Sequence, residues 1–173
     1  MKNYMTTSKS NIEFQNIIKE FIENDTVKSM SKYIQHCSTN CFEHCYRTSY
    51  YCYKISKKLN WDYKSAARGA MLHDLFLYDW REKKDGRKGL HAFTHGKKAC
   101  QNACNLFKLN EKEQDMITRH MFPVTIIPPK SKEGILLTFV DKYCALTEFS
   151  HYIYNEYCSD KKIFKYANNL LGR

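Results

Sequence analysis

The sequence predicts an all-α protein, a single compact bundle of six to eight helices, and three observations predict it. Six Gly and three Pro among 173 residues are about half the usual share of turn formers, so breaks between elements are few. Apolar residues recur at helical three- and four-residue spacing along most of the chain. No segment shows the strict alternation of a half-buried strand. An apolar fraction of 43% is enough for a core in one domain spanning 1–173.

Each element can be justified in turn. Ser10 with Glu13 has capping-box spacing ahead of Phe14, Ile17, Ile18 and Phe21. A second helical stretch follows Asp25 through Val27, Met30 and Tyr33. Asn40 with Glu43 repeats the cap signature before a helix from Phe42 past Ile55 that ends near Asn60. Asp62 caps a helix through Ala66, Ala70 and Met71 to about Leu77. Residues 79–90, with Asp85-Gly86 and Gly89, read as a polar loop. The next helix runs from about Phe93 to Phe107, and Asn110 caps another that Pro123 stops after Met121. Pro128 and Pro129 mark a connection, and a long helix from Ser131 carries Ile135, Leu136, Phe139, Val140 and Leu146.

The charge balance, 28 − 18 = +10, favours an anionic partner such as a phosphorylated small molecule or a nucleic acid. No stretch approaches the ~18 apolar residues of a membrane span, and residues 1–11 lack the apolar run of a secretory signal. Both point to a cytoplasmic protein that does not engage membranes. The eight cysteines sit at i, i+4 and i, i+8 spacings and read as small buried hydrophobes rather than a zinc ribbon.

Histidines and acids fall on the helices in a telling order. His44 lies on the helix capped by Asn40, and His73-Asp74 end the apolar run from Ala70 to Phe76. His91 and His95 open the next helix, His120 ends the one after, and Asp141 lies inside Leu136–Lys142. Asp74 and Asp141 sit in otherwise apolar sequence, where an unpaired carboxylate would cost several kcal/mol. Cations or metals must neutralise them. Imidazole with carboxylate suits iron and manganese, and also zinc, cobalt, nickel or magnesium.

The blocks Glu43–Thr48, Ala66–Asp74, Thr94–Ala99, Ile117–Met121 and Phe139–Lys142 resemble those of the HD-domain superfamily of metal-dependent phosphohydrolases, over about residues 40–150. Residues 1–35 and 151–173 would then be flanking helices. The resemblance implies His44, His73, Asp74 and Asp141 as ligands of one divalent ion. His95 and His120 match the extra histidines of the binuclear branch, in which Asp74 would bridge two ions. It also implies that Asp74 and His73 are central to catalysis, with metal-bound hydroxide attacking a phosphate ester or anhydride. The expected substrate is a small, nucleotide-like phosphorylated molecule.

Binuclear relatives often carry a lysine three positions after that aspartate, where this chain has Leu77. The basic stretch from Arg81 to Lys98 offers substitute cations, Lys98 among them; His91 is expected as a substrate contact, and Arg47 and Lys142, each close behind an expected ligand, as further phosphate contacts. Two other functions stay open: a diiron HD-type oxygenase, and a non-catalytic module. Nucleic-acid binding ranks last, because no helix-turn-helix or aromatic–basic motif accompanies the charge.

Overall fold

The computed structural model describes residues 9–82 and 89–158. Seven α-helices and one small hairpin make up these residues, as an all-α class requires. Helix α1 spans Lys9–Glu23 and buries Phe14, Ile18 and Phe21. Its expected capping box does not form, because the helix already includes Ser10. The Glu13 carboxylate instead accepts from Tyr53 Oη at 2.9 Å and pairs with Lys57.

After α2 (Asp25–Lys28) a 3₁₀ turn covers Ser29–Lys32, and then the chain leaves the helical path. Strand β1 (Ile34–His36) pairs antiparallel with β2 (Thr39–Asn40), with Ile34 opposite Asn40 and His36 opposite Thr39. The sequence reading missed this hairpin. Its strands are too short to show alternation, and its turn places Cys37 at φ 50° without a glycine to signal it.

Asn40 then caps α3 (Cys41–Lys58), accepting the Glu43 N–H at 2.9 Å. Asp62 caps α4 (Tyr63–Leu72), which stops five residues short of the expected Leu77. Past Leu72 the apolar run continues as buried, non-helical chain through Leu75 and Phe76, and Leu77 takes φ 61°. Helix α5 covers His91–Leu106. Asn110 and Glu113 form a reciprocal capping box that starts α6 (Glu111–Arg119), two residues shorter than expected. Ser131 caps α7 (Lys132–Ile153), and a π-helical turn follows over Tyr154–Cys158.

Helix α3 packs against α4 and α7, α4 against α6, and α6 against α5 and α7. One core cluster joins α1, α3, α4 and α5 around Phe14, Tyr53, Met71 and Phe76. A second, with Cys52, Ala70, Met116, Leu137, Val140 and Cys144, fills the space between α3, α4, α6 and α7. The inward face of α7 differs from the expected one. Leu137, Val140 and Cys144 are buried, while Phe139 is 68% and Leu146 64% exposed. Helix α7 is apolar on every side, so its sequence does not say which side faces in. Four cysteines (41, 45, 52 and 144) are buried thiols as expected, whereas Cys37 and Cys104 are exposed. No described helix is long and apolar enough to cross a membrane.

Candidate metal centre

The ends of α4 and α6, the first turn of α3, the middle of α7 and the first turns of α5 converge on one buried polar cluster. The structure brings all six expected ligands into it: His44, His73, Asp74, His95, His120 and Asp141 are each buried. His44 Nε2 lies 3.0 Å from Asp141 Oδ1, and His73 Nε2 lies 3.5 Å from the same oxygen. His73 Nε2 is also 3.3 Å from Asp74 Oδ2. The other oxygen of Asp74 faces elsewhere: Oδ1 is 3.2 Å from His95 Nε2 and 3.5 Å from His120 Nε2. One carboxylate therefore divides its two oxygens between two groups of side chains.

The rings present one nitrogen each to this space, and the reason is local. His73 is the C-cap of α4 and its Nδ1 lies 2.8 Å from the Ala70 carbonyl. His120 is the C-cap of α6 and repeats the contact with the Ile117 carbonyl at 2.8 Å. His95 Nδ1 reaches the His91 carbonyl at 2.7 Å, and His44 Nδ1 a Glu148 oxygen at 3.1 Å. A carbonyl or carboxylate can only accept, so each Nδ1 carries a proton and each Nε2 is the nitrogen turned to the centre.

That arrangement fits divalent ions. His73 Nε2 and Asp74 Oδ1 are buried without a hydrogen bond, although both lie at ion-pair distance from neighbours. His95 Nε2 and His120 Nε2 stand 2.8 Å apart, two lone pairs that need a proton or a cation between them. Cys45 also borders His73 and Asp74. Burial pushes its thiol well above the ordinary range, so it stays neutral while no cation lies beside it. The donors of the six expected ligands are imidazole nitrogen and carboxylate oxygen, a set suited to iron, manganese or zinc.

The electrostatics agree. Burial alone would raise the carboxyls of Asp74 and Asp141, but the imidazoles around them prevail and hold both well below the usual range. Burial would likewise lower His44, yet its bonds to Asp141 and Glu148 raise it to about 10. Burial, with the neighbouring charge of His73, depresses His120 to about 3. Protons on some rings compensate the buried carboxylates here, in places that cations can take.

The expected substrate contacts are placed less uniformly. Lys142 is half-buried next to the centre, its Nζ donating to the Thr138 carbonyl at 3.2 Å and to that of His120 at 3.5 Å. Arg47 Nη1 is engaged by Glu148 Oε1 at 3.1 Å. His91 stacks between Trp80 and His95, with centroids at 5.5 and 4.4 Å. Lys98 lies exposed on α5. Much of the basic stretch, Lys83, Lys84, Arg87 and Lys88, lies outside the described residues.

Three side chains at the centre went unassigned in the sequence. Glu148 lies seven residues after Asp141, so helical periodicity places both on one face of α7 and was the available signal. His36 packs edge-on against His44 at 5.1 Å, and Gln35 Nε2 donates to Asp74 Oδ2. Both come from the unforeseen hairpin and carry no sequence signal.

A family model for the HD domain matches residues 41–146 of the chain. No curated protein and no solved structure matches it.

Proposed function

The chain belongs to the HD-domain family, whose members are typically metal-dependent phosphohydrolases, and from that premise we propose that it hydrolyses a phosphate ester or anhydride with two bound divalent ions. The observation that carries the two-ion reading is the division of Asp74. Its Oδ2 serves the group of His44, His73 and Asp141, and its Oδ1 serves His95 and His120. Bound divalent ions supply Lewis acidity towards a phosphoryl oxygen and lower the pKa of water.

The chain's own residues do the rest. Nδ1 bonds hold four imidazoles in the ligating tautomer. Asp74 and Asp141 are buried away from bulk water, and Phe76 packs edge-on against His91 and His95 beside them. Lys142 and Arg47 offer cationic groups on the α7 and α3 sides, and His91 and Lys98 on the α5 side, for a small nucleotide-like phosphorylated substrate. Burial lowers the Lys142 amine, which favours its use beside an anion that restores its charge.

The test is phosphate release from a panel of nucleotides and phosphomonoesters by metal-loaded protein, beside its Asp74→Asn variant. The wild type is expected to hold close to two ions and release phosphate. The variant should fold, hold at most one ion and lose more than about 100-fold in rate. Oxygen consumption without phosphate release would replace this reading with an oxygenase, and full activity in Asp74→Asn would overturn it.

A further inference from the structure

We propose that Gln35 is a positioning residue of the metal centre: its amide N–H fixes the Asp74 carboxylate between His73 and the His95–His120 pair, and its amide oxygen receives an O–H of the water or substrate held there. This rests on the two-ion reading of the centre. Gln35 sits in β1 and is 6% exposed. Its Nε2 donates to Asp74 Oδ2, while its Oε1 is buried without any hydrogen-bond partner. The orientation is dictated by chemistry. An ionised Asp74 offers only lone pairs, so the amide NH₂ must face it and Oε1 must turn away.

A packing role does not account for these atoms. Leu or Met would fill the same space without leaving a polar oxygen unpaired, and buried amide oxygens in folded proteins almost always have partners. Asp74 Oδ2 has two lone pairs, so it can accept from Gln35 and still face the ion shared with His73. The single N–H then sets the carboxylate plane, and with it the direction of Oδ1 towards His95 and His120.

The hairpin is built to present Gln35 firmly. Trp80 Nε1 donates to the Ile34 carbonyl at 3.2 Å, and the Cys41 N–H to the Tyr33 carbonyl at 2.8 Å. His36 rests on His44 from the other side. Gln35 and His36 themselves precede residue 41, where the family match begins, so that match assigns them no role.

The test uses chelator-stripped full-length protein titrated with Mn²⁺ and followed by electron paramagnetic resonance. The variants are Gln35→Met, of similar volume without donor or acceptor, and Gln35→Asn, an amide too short to reach Asp74. Loss of an outer partner of a ligand weakens metal binding by about 10–100-fold, and that loss is expected for the weaker-bound ion in both variants. The exchange-coupled signal of a carboxylate-bridged pair should give way to that of isolated ions, and kcat should fall at least about tenfold with little change in KM. Either folded variant that keeps both dissociation constants within about twofold and an unchanged coupled signal overturns the role of Gln35 alone. A wild type that takes up fewer than two ions overturns the two-ion reading and this inference with it.

Discussion

Glu148 offers the sharpest test of how the protein orients its ligands. Its side chain is 1% exposed and both oxygens are used, one beside His44 Nδ1 at 3.1 Å and one accepting from Arg47 Nη1 at 3.1 Å. Glu148→Gln keeps the volume and removes the charge. One amide oxygen must then choose between two donors. Arg47 is about a third exposed and can turn to water, whereas His44 is fully buried, so the oxygen goes to His44. His44 keeps its tautomer but loses the anion that makes its Nε2 more basic. Measured losses for such outer partners are about 10–100-fold in metal affinity, or about 1.4–2.7 kcal/mol.

The loss should fall on one ion only. His44 belongs with His73 and Asp141, while His95 and His120 meet the other oxygen of Asp74. Calorimetric titration of stripped protein should therefore show one dissociation constant raised and the other within about twofold of wild type. An imperfectly paired buried amide also costs about 1–3 kcal/mol of stability. For a chain of this length that lowers the melting temperature by about 2–12 °C. A lower melting temperature with both dissociation constants unchanged would refute the reasoning, because Glu148 would then only support packing.

Two further outcomes follow from the same geometry. A Cβ on Gly96 would meet the backbone oxygens of Thr118 at 2.9 Å and Ile117 at 3.1 Å. Gly96→Ala should therefore cost about 1–3 kcal/mol in thermal melting and weaken the ion held by His95 and His120, since the Ile117 carbonyl also anchors His120. The metal-free chain should lose stability between pH 6.5 and about 10. His44 holds its proton in the fold up to about 10 and loses it near its ordinary value when unfolded, so its contribution is complete below 6.5 and fades as pH rises to the folded value. Melting temperatures across that range, with and without metal, check the sign; bound ions should remove the slope at His44.

How much of this was legible varies with the physics of each signal. The caps Asn40, Asp62 and Asn110 were readable because a side-chain oxygen three residues ahead of an N–H is a local event. Asp74 and Asp141 stood out because carboxylates in apolar sequence need neutralising, but the full set of six candidate ligands came from the resemblance of their blocks to the HD-domain pattern. Ser10 misled, since the first helix begins before it. The end of α4 was not legible, because the apolar run through Phe76 is buried whether or not it is helical. Gln35 and His36 could not be assigned, since a hairpin with strands of three and two residues has no periodicity and its glutamine is an ordinary polar residue until it meets Asp74.

The early stop of α4 is what turns its histidine towards the centre. The last carbonyls of a helix have no intrahelical partner. At α4 the His73 ring supplies an Nδ1–H to one such carbonyl, that of Ala70, and at α6 the His120 ring does the same for Ile117. Each bond satisfies a helix end and fixes a tautomer at once, leaving Nε2 pointed into the centre. Had α4 run on to Leu77, the Ala70 carbonyl would accept from the Asp74 backbone N–H instead. Asp74, now just past the helix, would sit within it, and its two oxygens would no longer be directed by the turn to opposite sides. A sequence that continued α4 would keep the same six residues and lose the arrangement that lets one carboxylate serve two groups of histidines.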